Sequence, residues 1–200
     1  MADVDSKQDD LAESKEDVNA AKMTPEFIVK YLERKSKTNA ALTKVLGSPD
    51  KQSWKATECG DGNINYIFRV EGCAGSVVVK QAPPYIRLVG PEWQLKQQRL
   101  NFETSYTQKV LKYSAENAPK LYLVDNDAYL FVMEDLTTLD MVVFRSQIPR
   151  GIGRTEFANM GQQVGRMVAN MLFKTRYALS VCDHSNSVHR QSACTPSNVK

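Results

Sequence analysis

Two glycines set one residue apart open the stretch Gly60-Asp61-Gly62-Asn63-Ile64-Asn65. With no Cβ at either position, backbone N–H groups there can approach a phosphate chain closely. Further along, Lys80 ends the run Ser76-Val77-Val78-Val79-Lys80, where an ammonium is a compact point charge suited to α- and β-phosphates. Glu103 offers a carboxylate able to keep that ammonium aimed. Met133-Glu134-Asp135-Leu136 closes another apolar run, and the backbone leaving such a run can hydrogen-bond the edge of a base. Each feature also has a plainer reading. The glycines suit a tight turn, since Asp-Gly favours one; Lys80 suits a solvated strand end; Glu103 suits an exposed surface position; and Met133–Leu136 suits an ordinary connection between a strand and a helix.

The elements that must position these groups are legible in the periodicity. Thr24-Pro25-Glu26 supplies a cap, a first-turn proline and an acidic first turn, followed by Phe27, Ile28, Tyr31 and Leu32 at helical spacing. After the break at Gly47-Ser48-Pro49-Asp50, strands are expected over Trp54–Cys59, Ile64–Glu71 and Ser76–Lys80, with Tyr66, Phe68 and Val70 on one face. Pro83-Pro84 ends the third strand. Leu95, Leu100, Tyr106 and Val110 predict a helix over Lys96–Tyr113, with Glu103 placed inward beside Phe102. Two strands follow, Lys120–Val124 and Tyr129–Glu134, turning at Asp125-Asn126-Asp127. Leu139–Phe144 is expected to be helical. Thr155 is expected to cap a long amphipathic helix carrying Phe157, Met160, Val164, Met167, Met171 and Leu172 and ending near Leu179.

The order of glycine hairpin, strand lysine, helix glutamate and strand-to-linker segment is more specific than any one of them. Together with Val78-Val79-Lys80-Gln81-Ala82, Pro84-Tyr85-Ile86-Arg87-Leu88-Val89-Gly90, Trp93 and Met133-Glu134-Asp135-Leu136, it resembles the S-methyl-5-thioribose kinase family, whose fold is protein-kinase-like. The stretch from Lys80 to Trp93 is the most distinctive part, because protein kinases have no such loop between the lysine strand and the helix. The resemblance covers about Met23 to Leu179. It implies an α+β fold: a small lobe with a five-stranded antiparallel sheet and a helix, then the first helices of an incomplete large lobe. It also implies ATP-dependent phosphorylation of methylthioribose in methionine salvage, with Mg2+ as the accompanying ion. By position, Gly60, Asp61, Gly62, Asn63, Asn65 and Lys80 would contact ATP. Glu103 would orient the lysine, and Glu134, Asp135 and Leu136 would meet adenine. The loop from Arg87 to Trp93 would help close the active site. The full-length family is expected to form a homodimer.

Such kinases need a catalytic aspartate in a His-Gly-Asp type loop and an acidic metal motif beyond it. The two histidines lie in Cys182-Asp183-His184-Ser185 and Ser187-Val188-His189-Arg190, and neither opens such a loop. No catalytic residue and no metal ligand is therefore assigned, and the chain is expected to stop before the catalytic loop. Two functions of different class stand side by side. One is a methylthioribose kinase truncated early; the other is an inactive nucleotide-binding or interaction module derived from it. A choline or aminoglycoside phosphotransferase fits less well, because of the loop from Lys80 to Trp93.

Composition narrows the remainder. With 200 residues and 42% hydrophobic content the chain can bury a core. The net charge of +3 joins an acidic segment 1–22 to a basic remainder. That excess suits a nucleotide but lacks the clustered Lys/Arg of a nucleic-acid surface. No apolar run reaches the ~20 residues of a membrane span, and the acidic start lacks a signal pattern. The four cysteines, Cys59, Cys73, Cys182 and Cys194, form no close-spaced set, so a cytoplasmic protein with free thiols is expected. The expected division is a disordered acidic tail at 1–22, an ATP-binding small lobe at 23–136, the start of a helical large lobe at 137–180, and an irregular tail at 181–200.

Overall fold

The computed structural model describes residues 23–60, 62–139, 141 and 144–182. The acidic segment 1–22, most of the segment 181–200 with both histidines, and Asp61 lie outside the described residues. The chain divides into two compact units between Ile152 and Gly153.

Helix α1, Pro25–Ser36, starts where the sequence supplies a start signal: the Thr24 hydroxyl accepts from the Phe27 N–H at 3.2 Å, with Pro25 in the first turn. Helix α2, Ala40–Leu46, is capped by Asn39. The Asn39 carboxamide accepts from the Ala41 N–H at 3.0 Å and donates across to the Tyr122 carbonyl at 2.9 Å. One side chain thus starts a helix and ties it to the sheet.

Strands β1 (Lys55–Glu58), β2 (Tyr66–Glu71), β3 (Ser76–Gln81), β6 (Leu121–Asp125) and β7 (Leu130–Glu134) form one antiparallel sheet in the order β1-β2-β3-β7-β6. The alternation of side chains along a strand gives this sheet two unlike faces. On one, Phe68 and Val70 of β2, Val77 and Val79 of β3, and Leu130 and Val132 of β7 are fully buried. They form one core with Ile28, Tyr31 and Leu32 of α1 and Leu42 and Leu46 of α2. Truncating Phe68 to Ala there would cost about 3–5 kcal/mol. On the other face, Ile67, Arg69, Val78, Lys80 and Met133 are only half-buried. Helix α3, Arg99–Tyr113, meets this second face through Leu100, which joins Ala82 and Phe131 in a smaller cluster. A five-stranded antiparallel sheet with a helix beyond its lysine strand is the small lobe of the protein-kinase-like fold expected from the sequence.

Several details differ from the sequence expectations. The segment after Pro84 is not simply a loop: β4 (Tyr85–Ile86) and β5 (Gly90–Gln94) form a separate two-stranded sheet. The turn between β2 and β3 lies so close to the end of α2 that a Cβ on Gly72 would stand 2.1 Å from the Leu46 carbonyl oxygen, so only glycine fits. Of the expected helix at Leu139–Phe144, residues 140, 142 and 143 lie outside the described residues; a 3-10 turn at Leu136–Leu139 precedes them and a short helix α4 at Phe144–Gln147 follows.

The second unit consists, among the described residues, of helix α5, Arg154–Cys182. Its start precedes the expected Thr155 cap. Glu156 reaches back to the Gly153 N–H at 3.2 Å, and the Phe157 N–H bonds the Gly153 carbonyl at 2.9 Å. Gly153 therefore occupies the cap, and the carboxylate supplies the reciprocal half of a capping box. Phe157, Val164, Val168, Leu172 and Phe173 are exposed along α5.

Candidate nucleotide site

Strand β3 sets the geometry. Its even-numbered residues Ser76, Val78 and Lys80 share the face that α1 and α2 leave uncovered, while Val77 and Val79 enter the core. Lys80 is in register with Ile67 on β2 and Phe131 on β7; Val78 is in register with Arg69 and Met133. An apolar strip of Ile67, Val78 and Met133 therefore runs beside the lysine toward the end of β7.

Lys80 Nζ donates to Glu103 Oε1 at 2.6 Å. The lysine side chain is 19% exposed and the glutamate 39%. A pair this open adds little to stability; what it does is hold a long, flexible ammonium in one direction. Glu103 reaches it because it sits three residues after the buried Leu100, on the same side of α3. Phe102 is 77% exposed, so the side of the helix facing the sheet is set by Leu100 and not by Phe102.

The glycine stretch lies between β1 and β2, and Cys59 closes its base by donating its N–H to the Ile67 carbonyl at 2.8 Å. A Cβ on Gly62 would fall 2.4 Å from the Asn65 carbonyl oxygen, whereas Gly60 has nothing within 4 Å. The loop thus needs glycine at 62 for its own fold, while the bareness of Gly60 keeps the space in front of the loop open. The β4–β5 hairpin is laid against the second half of this loop. Leu88 N–H donates to the Asn63 carbonyl at 2.9 Å and Arg87 Nη1 to the Gly62 carbonyl at 2.9 Å. Arg87 also pairs with Glu58 and lies over the Tyr66 ring, 5.3 Å from its centroid. Burial, helped by the Tyr85 hydroxyl at 3.3 Å, pushes the Tyr66 phenol up to about 12. Trp93, farther along the hairpin, is 61% exposed.

Arg99, which the motif reading missed, joins these parts. Its guanidinium donates to Asn65 Oδ1 at 2.9 and 3.1 Å, to the Pro83 carbonyl at 2.9 Å, and to the Leu95 and Lys96 carbonyls at 3.0 and 2.8 Å. A cation in the first turn of a helix opposes the helix dipole, and burial lowers its pKa against the raising effect of Glu103. The sequence signal was its place four residues before Glu103, one helical turn away. The Asn65 side chain is occupied by this arginine. The side chain of Val78, which sequence reasoning did not place in the site, was recoverable by counting in twos from Lys80 along β3, whereas that of Met133 joins it only through the pairing of β7 with β3.

At the end of β7 the three residues of the linker differ. Glu134 pairs with Lys120 at 2.9 Å, and its pKa is held down by that bond. Leu136 is half-buried at the start of the 3-10 turn. Asp135 is buried, and its carboxylate accepts from Ser76 Oγ at 2.6 Å, Arg69 Nε at 2.6 Å, Thr137 Oγ1 at 2.6 Å and Thr137 N–H at 3.0 Å. Burial alone would raise its pKa, but the bonds from Ser76, Thr137 and Arg69 outweigh it and hold the group at about 2.

Among the described residues no group of three or more His, Cys, Asp or Glu is arranged to hold a metal ion. A concavity of about 760 Å³ lies along α1 between Phe27, Lys30, Arg34 and Asp50, on elements that pack against the opposite face of the sheet from Lys80. No helix among the described residues is long and apolar enough to cross a membrane.

No protein-family model matches the chain. Curated relatives do. The methylthioribose kinase of Escherichia coli O45:K1 (strain S88 / ExPEC) is 36% identical over 125 residues, 62% of this chain and 29% of that protein. The methylthioribose kinases of Bacillus thuringiensis subsp. konkukian (strain 97-27) and of Bacillus anthracis are each 36% identical over 118 residues, 59% of this chain and 29% of each relative. The match thus spans less than a third of these relatives' length. Over more than half of its residues the chain is homologous to the methylthioribose kinases, a family of phosphate-transferring enzymes, and carries a portion of their length.

Proposed function

We propose that residues 23–136 form the nucleotide-binding lobe of an ATP-dependent kinase acting on S-methyl-5-thioribose. The observation that carries this reading is the Lys80–Glu103 pair on the uncovered sheet face, beside the glycine loop. In this role Lys80 neutralises charge on the α- and β-phosphates, and Glu103 keeps it aimed. Backbone N–H groups around Gly60 and Gly62 meet the phosphate chain, and Ile67, Val78 and Met133 cover the base. Backbone groups of Glu134–Leu136 read its edge. Asn63 presents the loop backbone, and Arg87, with Trp93 on the same hairpin, keeps the loop in place. A divalent ion bound with the nucleotide would supply further charge neutralisation; the described residues hold no group of three or more His, Cys, Asp or Glu for it. A cytoplasmic setting fits free thiols at Cys59 and Cys73.

A second reading, nucleotide binding without turnover by this chain, is favoured by one observation: neither histidine stands in a His-Gly-Asp sequence. Phosphoryl transfer draws most of its acceleration from a positioned acceptor and from charge stabilisation. Isothermal titration with ATP and Mg2+, followed by an assay of ADP release with S-methyl-5-thioribose, tests both readings. Saturable ATP binding is expected. Turnover above about 1 per second, the ordinary kinase range, would overturn the second reading. Absence of ATP binding would overturn the first.

A further inference from the structure

We infer that Asp135 is a positioning residue for the base end of the nucleotide, acting through the linker backbone without touching the ligand; this rests on the nucleotide reading above. A side chain placed to contact a ligand keeps accepting capacity free and faces open space. Asp135 does neither. Its side chain is 1% exposed and accepts four hydrogen bonds: from Ser76 on β3, Arg69 on β2, and both the hydroxyl and N–H of Thr137. Its own carbonyl accepts from Thr138 Oγ1 at 2.7 Å. The chain leaving β7 is therefore bound on one side to the sheet and on the other to the turn at Leu136–Leu139.

The placement is specific. Ser76 and Lys80 lie on the same face of β3, four residues apart, which at about 3.3 Å per residue is roughly 13 Å of strand. One end of that span carries the phosphate-facing ammonium. The other fixes the height of the Glu134–Leu136 backbone above the same face. Arg69 is shared between Asp135 and Glu71 and also donates to Ser76 Oγ at 3.3 Å, so β2 and β3 are bound to the linker as one body. A shift of the linker would move the base-reading backbone relative to Lys80 and leave the phosphate end where it is.

The experiment compares ATP with inorganic tripolyphosphate, each with Mg2+, by isothermal titration on the full 200-residue chain. Asp135→Asn keeps the shape but places an amide against the Arg69 and Ser76 donors. It should weaken ATP about tenfold, of the order expected for losing a hydrogen bond to a charged group, while tripolyphosphate binding changes less than about twofold. Ser76→Ala removes one of the four donors and should show the same split at about threefold; it serves if Asp135→Asn does not fold. Equal losses for both ligands, or no loss for either, would overturn the inference. Lys80→Ala should weaken both ligands together. If the unmodified chain binds neither ligand, the nucleotide reading itself fails, an outcome distinct from binding with no split.

Discussion

Ser76 and Lys80 stand on one face of β3 and are each bound to a carboxylate, Ser76 to Asp135 of the linker and Lys80 to Glu103 of α3, both at 2.6 Å. The two carboxylates arrive from segments far apart in sequence and are brought to one strand by the β3–β7 pairing and by the packing of Leu100. The sheet face between them is the only part of β3 that α1 and α2 leave open. The two contacts join β3 to different elements, so each can be perturbed by its own substitution.

Lys80→Ala should weaken ATP binding by about 1.5–3 kcal/mol, the range for a hydrogen bond to a charged group. Folding should change by less than about 0.5 kcal/mol, because the pair is partly exposed. Glu103→Ala should cost less binding, since it acts on nucleotide only by orienting the lysine. Titrating both single variants and the double variant closes a cycle. If the two losses simply add, the ion pair does not orient Lys80 for the nucleotide.

The two glycines of the loop should separate in their effect on stability. Gly62→Ala places a Cβ against the Asn65 carbonyl oxygen at 2.4 Å and Ile67 Cγ1 at 3.3 Å. It should destabilise the fold by about 1–3 kcal/mol through overpacking. Gly60→Ala meets nothing within 4 Å and should fall within about 0.5 kcal/mol of the parent. Urea denaturation measures both, and equal midpoints for the two variants would contradict the close approach at Gly62.

How far the sequence revealed this arrangement depends on how local each signal was. The cap at Thr24, the strands around Phe68 and Val79 and the helix after Lys96 are written in short-range patterns and could be read directly. The Lys80–Glu103 pair was found through the order of motifs, but the argument from Phe102 pointed the wrong way, since which side of α3 faces the sheet is decided by the docking of Leu100. The β4–β5 hairpin carries no strand-like alternation, because its residues are largely exposed and its contacts go to loop carbonyls. Arg99 escaped notice for the same reason: its partners, Asn65 and Pro83, are neighbours only after folding. Asp135 was assigned to the ligand on position alone, and the sequence could not reveal that Arg69 and Ser76 occupy its carboxylate.

The attachment of α1 to the sheet should be measurable at Asp125. This carboxylate accepts from the Tyr31 hydroxyl at 2.7 Å, the Lys35 ammonium at 2.6 Å and the Ala128 N–H at 3.0 Å. Burial would raise its pKa, but these bonds outweigh that and lower it. Tyr31→Phe removes one bond and keeps the ring, so it should cost about 0.5–1.5 kcal/mol. Asp125→Ala leaves a buried hydroxyl without its acceptor and should cost more, about 2–3 kcal/mol. Thermal or urea unfolding with unchanged midpoints in both would show that α1 is held by apolar burial alone.

The exposed apolar side chains of α5 should drive association. Phe157, Val164, Val168 and Leu172 recur at helical spacing and are each 43% exposed or more, and contiguous apolar surface of this kind favours self-contact in water. Sedimentation velocity should show mass rising with concentration, and the paired change Val164→Lys, Leu172→Lys should reduce it. A chain that stays monomeric across the micromolar range, or a paired variant that associates equally well, would contradict the expectation.

Acid should release the linker before it unfolds the core. Asp135 is depressed to about 2 in the folded chain, against about 3.9 for an unperturbed aspartate. Because the folded group binds its proton less readily than the unfolded one, its contribution is complete above about pH 4 and is lost as pH falls toward 2. The depression corresponds to about 2–3 kcal/mol. Asp125, lowered in the same direction, adds to the slope. Urea midpoints measured from pH 7 down to pH 2.5 should fall steeply below pH 4 in the parent. In Asp135→Asn the midpoint should start lower at pH 7, since Arg69 loses its partner, and then decline less steeply. Parallel slopes in the two proteins would mean that the Asp135 carboxylate is not held in its ionised form by Ser76, Thr137 and Arg69, and that the linker is fixed by other contacts.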